Sequence, residues 1–233
     1  VCVMIATGVN NDGHRQILGL GVSTSEEEAA WTDFLRGLKA RGLSGVKLVI
    51  SDAHKGLKAA IASEMPGVSW QRCRTHFARN LLCKVPKKAQ GFVAAALRTI
   101  YVQPTKDDAR DSLYKLVGQL DRFPDAARTL EEAADDILAF ADFPEAHWKQ
   151  IWSNNPQERL NKEIRRRTDV VGIFPNREAI IRLVGAVLCE QNDEWMVSRC
   201  YMTQETLAMA GQVGLQTQEL LTTGFTSLPD AAA

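Results

Sequence analysis

The sequence predicts an α/β fold in which a long all-helical segment interrupts a strand-bearing core, and three observations carry that reading. Residues 1–9 and 15–22 are apolar runs around Asn10-Asn11-Asp12-Gly13, a strong hairpin signal. Val46 to Asp52 is a β-branched run that ends in a carboxylate and leads into the helically spaced Leu57, Ala60 and Ile61. From about 74 to 152 every periodic segment is helical, a stretch too long for a loop inside a compact domain.

Each element has a local reason. Asp12, in the Asn-Asp-Gly turn, reads as a turn residue. Ser25 with Glu28 is a capping-box pattern, and Trp31, Phe34, Leu35 and Leu38 follow at helical spacing up to about Gly42. A strand over 46–51, a helix over 57–64 and a short strand over 67–72 come next. Phe92, Ala95, Ala96, Thr99 and Ile100 mark one face of a helix. Thr105 with Asp108 opens another, marked by Leu113, Leu116, Val117 and Leu120. Leu130, Ala133, Ala134, Ile137 and Leu138 mark a third. Asn176 caps a further helix whose apolar stretch, Ala179 to Leu188, contains Arg182 and reads as core. The expected divisions are 1–73 (strands and first helices), 74–152 (all-helical insertion), 153–221 (C-terminal helices) and a frayed tail over 222–233.

Composition excludes several classes. Hydrophobic residues make up 45% and charged residues 24%, ordinary for a globular chain. No apolar run is long enough to span a bilayer, and no secretory signal is visible. Five cysteines at irregular spacing fit a reducing cytosol better than a disulfide framework. The 28 basic and 28 acidic residues cancel, but they are not evenly spread. Residues 71–90 hold six Lys/Arg and no carboxylate, whereas 105–145 hold eleven Asp/Glu against five Lys/Arg. Local basic surface, rather than the whole-chain sum, is what a nucleic acid would meet. Ordinary solvated helices would give the same counts.

Two segments carry candidate chemistry. In Asn155-Pro156-Gln157-Glu158, Asn155 suits the N-cap, Pro156 the first helical position and Glu158 the third. Lys162, Arg165 and Arg166 share the face of Glu158. A carboxylate followed by cations on one face suits a metal-dependent enzyme acting on phosphates. The same Glu could simply complete a capping box. Asp52 ends a predicted strand, at the sheet edge where α/β sites sit, although it could merely cap the next helix.

The stretches VISDAHKGLKAAI, WQRCRTHFARNLL, NPQERLNKEIRRRTDVVGIFPN and NDEWMVSRCYMTQETLA together resemble the Mutator-type transposases of bacterial insertion sequences. The resemblance covers nearly the whole chain, in order. It implies a DDE transposase with an RNase H-like catalytic core and a helical insertion, cutting DNA and joining the freed 3′ end by two-metal phosphoryl transfer. Asp52 matches the family's second aspartate and Glu158 its glutamate. Both would be catalytic and would ligate Mg²⁺ or Mn²⁺, two ions about 3.5–4 Å apart, and the two carboxylates should converge. The family's first aspartate lies on a strand preceding the part that residues 1–22 resemble. The chain is therefore expected to lack that strand, that aspartate and the DNA-recognition region, and to be inactive as it stands. The alternatives are a catalytically dead DNA-binding remnant and an RNase H-like nuclease without joining activity.

The DNA-binding candidates are Arg72, Arg74, His76 and Arg79 in the first basic segment, and Lys162, Arg165, Arg166 and Arg167 in the second. Double-stranded DNA, as transposon ends and target, is the implied partner. A homo-oligomer is left open, no membrane is involved, and the implied location is the bacterial cytoplasm, with the nucleoid. Cys73-x-x-His76 could supply two zinc ligands, but a structural zinc needs two more, and only His54 and Cys83 are loosely available. The resemblance places the pair near the active site, where His76 could meet a phosphate or a catalytic carboxylate. Equally, Cys73 could be a small buried residue and His76 a helix cap. Trp70, Trp148, Trp152 and Trp195 read as core aromatics rather than base-stacking platforms.

Overall fold

The structure, a computed structural model, describes residues 1–210. The expected frayed tail lies outside the described residues, as does the end of the C-terminal division. The chain is a mixed α/β molecule, mostly helical, with two small sheets.

The hairpin forms where expected. Strands β1 (Cys2–Val9) and β2 (Arg15–Ser23) pair antiparallel, with a register slip between Ala6 and Thr7. In the turn, the Gly13 N–H donates to the Asn10 carbonyl at 3.0 Å, and the Asn10 side chain accepts from the N–H groups of Asp12 and His14. Gly13 has φ 85°, and a Cβ there would lie 1.8 Å from the Met202 carbonyl oxygen. Glycine is needed here both for the left-handed backbone and for the close approach. The Gly13 carbonyl accepts from the N–H groups of Tyr201 and Met202, tying the turn to the chain beyond the last long helix.

Strands β3 (Leu48–Ser51) and β4 (Ser69–Arg72) run parallel, connected through helix α2 (Lys55–Glu64). Helix α1 (Glu28–Ala40) packs with α2 through Leu35, Leu38, Ala60 and Ile61, against Ala6 and Leu18 of the hairpin and Val49 and Trp70 of the second sheet. One pair of helices thus covers both small sheets. Strand alternation supplies the rest. Leu48 and Ile50 point to the helical segment, while Val3, Ile5, Ile17 and Leu20 meet α9 (Asn155–Val171) and α10 (Arg177–Val197).

Residues 74–152 are helical throughout. They comprise α3 (Arg74–Leu82), α4 (Lys87–Tyr101), α5 (Lys106–Gln119), α6 (Pro124–Glu132), α7 (Ala134–Leu138), two short 3₁₀ turns and α8 (Trp148–Ile151). Their core runs from Phe77 to Ile151 and takes in Met202. Gln71 pins it to the sheet. This fully buried amide donates to the Ile137 carbonyl at 3.1 Å and accepts from the Phe140 N–H at 2.7 Å.

Several local expectations need correction. Ser25 and Glu28 form no capping box: α1 starts at Glu28, its N-cap Glu27 makes no side-chain cap bond, and the Ser25 N–H turns back to Ser23 Oγ. The buried face of α4 is Val93, Leu97, Ile100 and Tyr101, and Phe92 is 56% exposed, so the inward stripe is rotated by about one residue. The 130–138 helix breaks at Ala133 into α6 and α7, though its marked residues are all buried. Thr105 and Asn176 do cap their helices, accepting from the N–H groups of Asp108 and Ala179. No helix among the described residues is long and apolar enough to cross a membrane.

Candidate active site

The site forms where the C-terminal ends of β3 and β4 meet the head of α9. The Cys73 N–H, just past β4, donates to the Ser51 carbonyl at 2.7 Å and continues the parallel ladder. Asp52, the next residue along β3, therefore lies beside Cys73 across the ladder. Asp52 is exposed and does not cap α2. That role falls to His54, whose Nδ1 accepts from the Leu57 N–H at 3.4 Å.

Four bonds draw the start of α9 onto this edge. The Arg74 N–H donates to the Trp152 carbonyl at 2.9 Å. The Cys73 thiol donates to Asn154 Oδ1 at 2.7 Å, and the Asn154 N–H reaches back to Cys73 Sγ at 3.5 Å. The Thr75 hydroxyl donates to Asn155 Oδ1 at 3.0 Å. These bonds explain a one-residue shift in the helix start. The N-cap is Asn154, not Asn155, and neither side chain caps the helix, because both are engaged by α3. Glu158 falls at the fourth helical position and completes no capping box.

Glu158 instead faces His76. His76 Nδ1 and Glu158 Oε1 lie 3.7 Å apart, beyond hydrogen-bond length. Both atoms are buried and neither has a partner. An unpartnered buried carboxylate oxygen beside an unpartnered ring nitrogen is costly unless a proton or a cation completes it. Single ligand atoms of Cys73, His76 and Glu158 lie within 4.8 Å of one another. The sulfur is already bonded to Asn154, and no fourth zinc ligand joins this group among the described residues. The free donors there are the Glu158 carboxylate oxygen, a hard ligand that suits Mg²⁺ or Mn²⁺, and the His76 ring nitrogen. Neither a helix-capping role for His76 nor a purely apolar role for Cys73 describes what these side chains do: Cys73 occupies the α3 N-cap position, fully buried, and its thiol is bonded.

The basic candidates divide. The Arg72 guanidinium lies 4.9 Å over the Phe77 ring, and burial lowers its pKa against the opposing pull of Asp136, Tyr101 and Asp52. The Arg74 guanidinium sits 4.4 Å over Trp152 and 5.2 Å over Tyr101. Both are held by rings, and Arg72 lies close enough to Asp52 to feel its charge. Arg79, Lys162 and Arg165 are exposed and form no ion pair among the described residues. Arg166 and Arg167 both bond Glu163, and Arg167 also reaches Glu190 at 3.6 Å. Their bonds hold the Glu163 carboxyl at about 2, well below its ordinary value. Trp148 and Trp195 are buried, as core aromatics should be, while Trp70 and Trp152 are half-buried.

Sequence reasoning missed a cleft of about 510 Å³ on the neighbouring face of the α9 head, whose lining includes Arg15, Lys149 and Arg159. Those cations come from β2, α8 and α9, and no local motif joins them. Arg159 sat unremarked inside the basic helix. The Asn154 and Asn155 bonds to α3 were also missed, because an Asn before a Pro reads as a cap.

The chain is similar to known proteins over most of its length. The family described as "Transposase, Mutator family" matches residues 1–198. The transposase for insertion sequence element IS1081 of Mycobacterium tuberculosis is 52% identical over 220 residues, which are 94% of this chain and 53% of that protein. The transposase for ISRM5 of Rhizobium meliloti is 43% identical, over 88% of this chain and 52% of its own length. The transposase for IS256 in transposon Tn4001 of Staphylococcus aureus is 39% identical, over 83% and 50%. The chain spans about half the length of these relatives.

Proposed function

Because the chain belongs to the Mutator family of transposases, we propose that it supplies part of the catalytic core of an insertion-sequence transposase, with Asp52 and Glu158 as two carboxylates of a DDE site. The observation that carries the reading is Glu158. It neither caps its helix nor pairs with the basic residues after it, and its buried oxygen is unpartnered beside His76, next to the strand end that bears Asp52. An RNase H-like core is the architecture this reading implies, and an antiparallel hairpin and a parallel strand pair under one helix pair are compatible with it.

Asp52 and Glu158 would hold Mg²⁺ or Mn²⁺, which when bound supplies Lewis-acid activation of a phosphodiester. His76 faces the Glu158 carboxylate and would orient it if protonated or if both approached a bound ion. The Cys73–Asn154 and Thr75–Asn155 bonds hold the head of α9, which carries Glu158, against the sheet edge that bears Asp52. Lys162 and Arg165 are the cations free to meet DNA backbone, without base specificity. Double-stranded DNA, as transposon ends and target, is the partner. Two carboxylates are matched where the family's reaction calls on three. By itself the chain should therefore bind DNA without joining strands.

The test replaces the metal with Fe²⁺ and adds peroxide and ascorbate, so that a bound ion cuts the nearby backbone. Cleavage near residues 52 and 158, lost in Asp52→Asn and Glu158→Gln, is expected. Cleavage elsewhere, or cleavage indifferent to both substitutions, would sink the site. In parallel, labelled DNA ends with Mn²⁺ should be retained but not joined. Robust joining abolished by Asp52→Asn would show that another carboxylate completes the set.

A further inference from the structure

The cleft beside the active site carries a second assignment. Arg15, Lys149 and Arg159 line it, and no carboxylate does. None of the three forms an ion pair or donates a side-chain hydrogen bond among the described residues. The Arg15 guanidinium is stacked 4.5 Å over Trp195 and 4.7 Å over Tyr201. Stacking occupies the faces of a guanidinium and leaves its in-plane N–H groups to bind. Burial lowers the Arg15 pKa, Tyr201 partly opposes this, and the nearby Arg159 charge adds a smaller lowering. Like charges converge here with no counter-charge, on rings that hold one of them in place. Asn155, at the first turn of the 17-residue helix α9, also lines the cleft, so the positive end of that helix adds to the field.

We propose that this cleft seats a backbone phosphate of the DNA strand that enters the active site, held by Arg15, Lys149 and Arg159. The assignment rests on the DNA-processing reading above and adds residues to it. Asn155 lines the cleft and bonds Thr75, while Glu158 lies one turn on and faces His76. A phosphate gripped there would fix the neighbouring phosphodiester relative to the carboxylates. The cleft is larger than a phosphate alone and leaves room for the attached sugar. A phosphodiester also matches the chemistry: a flat guanidinium fork takes two of its oxygens, and Lys149 and Arg159, on exposed positions, can close on it.

The experiment measures binding of a fluorescent DNA duplex to the full chain across a salt series, with inorganic phosphate as a second probe. The variant is Lys149→Gln/Arg159→Gln, both exposed positions, and Arg128→Gln in the helical segment is the control. The double variant should bind DNA about tenfold more weakly, with a log–log salt slope shallower by roughly one to two units and an unchanged thermal midpoint. Arg128→Gln should match the parent. Lys149→Arg/Arg159→Lys should restore most of the affinity. If the double variant binds DNA as the parent does, the seat is overturned while the DNA reading stands. If it loses inorganic phosphate but keeps DNA, the cleft holds a free anion and the proposal also fails. If the parent binds no duplex at low salt, the DNA reading itself falls.

Discussion

The helical segment and the seam at the head of α9 differ in how their buried polar groups are satisfied. Four carboxylates of the acidic helices are paired: Asp136 with Lys58 at 2.7 Å, Asp135 with Arg110 at 2.6 Å, Asp142 with Lys106, and Asp125 with Arg128 at 3.7 Å. Asp52, Arg15, Lys149 and Arg159 have no such partners among the described residues, and Glu158 faces only His76, at 3.7 Å. Six buried side-chain polar atoms lack a hydrogen bond there. Five belong to Arg72, His76, Tyr101, Gln150 and Glu158, around the site and its cleft, and the sixth, Trp31 Nε1, is on α1. Orphaned polar groups are costly in a folded interior. Their concentration along one seam is what a binding site leaves open, while the helical segment packs around an apolar core.

The largest effect that would break this contrast lies in the core of the helical segment. Leu113 is fully buried on α5 and belongs to the cluster that runs from Phe77 to Ile151. Leu113→Ala should cost about 2–5 kcal/mol in urea unfolding, from lost transfer energy plus the cavity. Glu158→Gln, at the seam, should cost nothing measurable, since the carboxylate oxygen it alters has no partner to lose. Equal losses would make Glu158 a structural residue and erase the distinction between the two regions.

The same contrast explains what the sequence could and could not disclose. The hairpin, the Asp52 strand and the Thr105 and Asn176 caps are local, and each was legible from a few adjacent residues. The face of α4 was misread because Phe92 is the largest apolar residue in its turn, yet Val93 and Leu97 are what α4 buries. The juxtaposition of His76 with Glu158 depends on α3 gripping Asn154 and Asn155 across about eighty positions. No periodicity encodes such a contact. Local patterns singled out Asp52 and Glu158 and the family resemblance gave them roles, whereas Arg15, Lys149 and Arg159 stand on three separate elements and meet only in the folded chain.

A smaller effect sharpens the comparison at its boundary. Tyr101 ends α4 in the helical core, yet its ring lies under Arg74 and edge-on to Trp152. Burial pushes its hydroxyl pKa up, and the hydroxyl has no hydrogen-bond partner. Tyr101→Phe removes an orphaned polar atom and keeps the ring. Stability in urea should stay within about 1 kcal/mol of the parent, on the stable side. A loss of about 1–3 kcal/mol would mean that the hydroxyl is satisfied by an ordered water, and that the seam is less open than the orphaned atoms suggest.

The smallest effect tests whether the seam's free cations are distinct from the paired ones on the same helix. Arg165, Arg166 and Arg167 are equivalent in sequence, but Glu163 holds the last two. Hydrogen bonds from Arg166 and Arg167 bring the Glu163 carboxyl to about 2, from an ordinary 4.5. A folded value below the unfolded one contributes stability above about pH 4.5, and that contribution is lost as pH falls toward 2. The group is fully exposed, so salt screens the pair and the change is small. Glu163→Gln should flatten the acid limb of the stability profile between those two values. It should also release Arg166 and Arg167 toward DNA, raising duplex affinity at low salt about threefold and steepening the salt slope by up to about two units. In the parent, Arg165→Ala should therefore weaken binding more than Arg166→Ala, because only Arg165 meets DNA without first leaving a carboxylate. Equal losses from the two substitutions, with no gain from Glu163→Gln, would show that exchange at this surface is too fast and too weak for the pairing to matter. The division between spent and unspent charge would then apply only to the buried part of the seam.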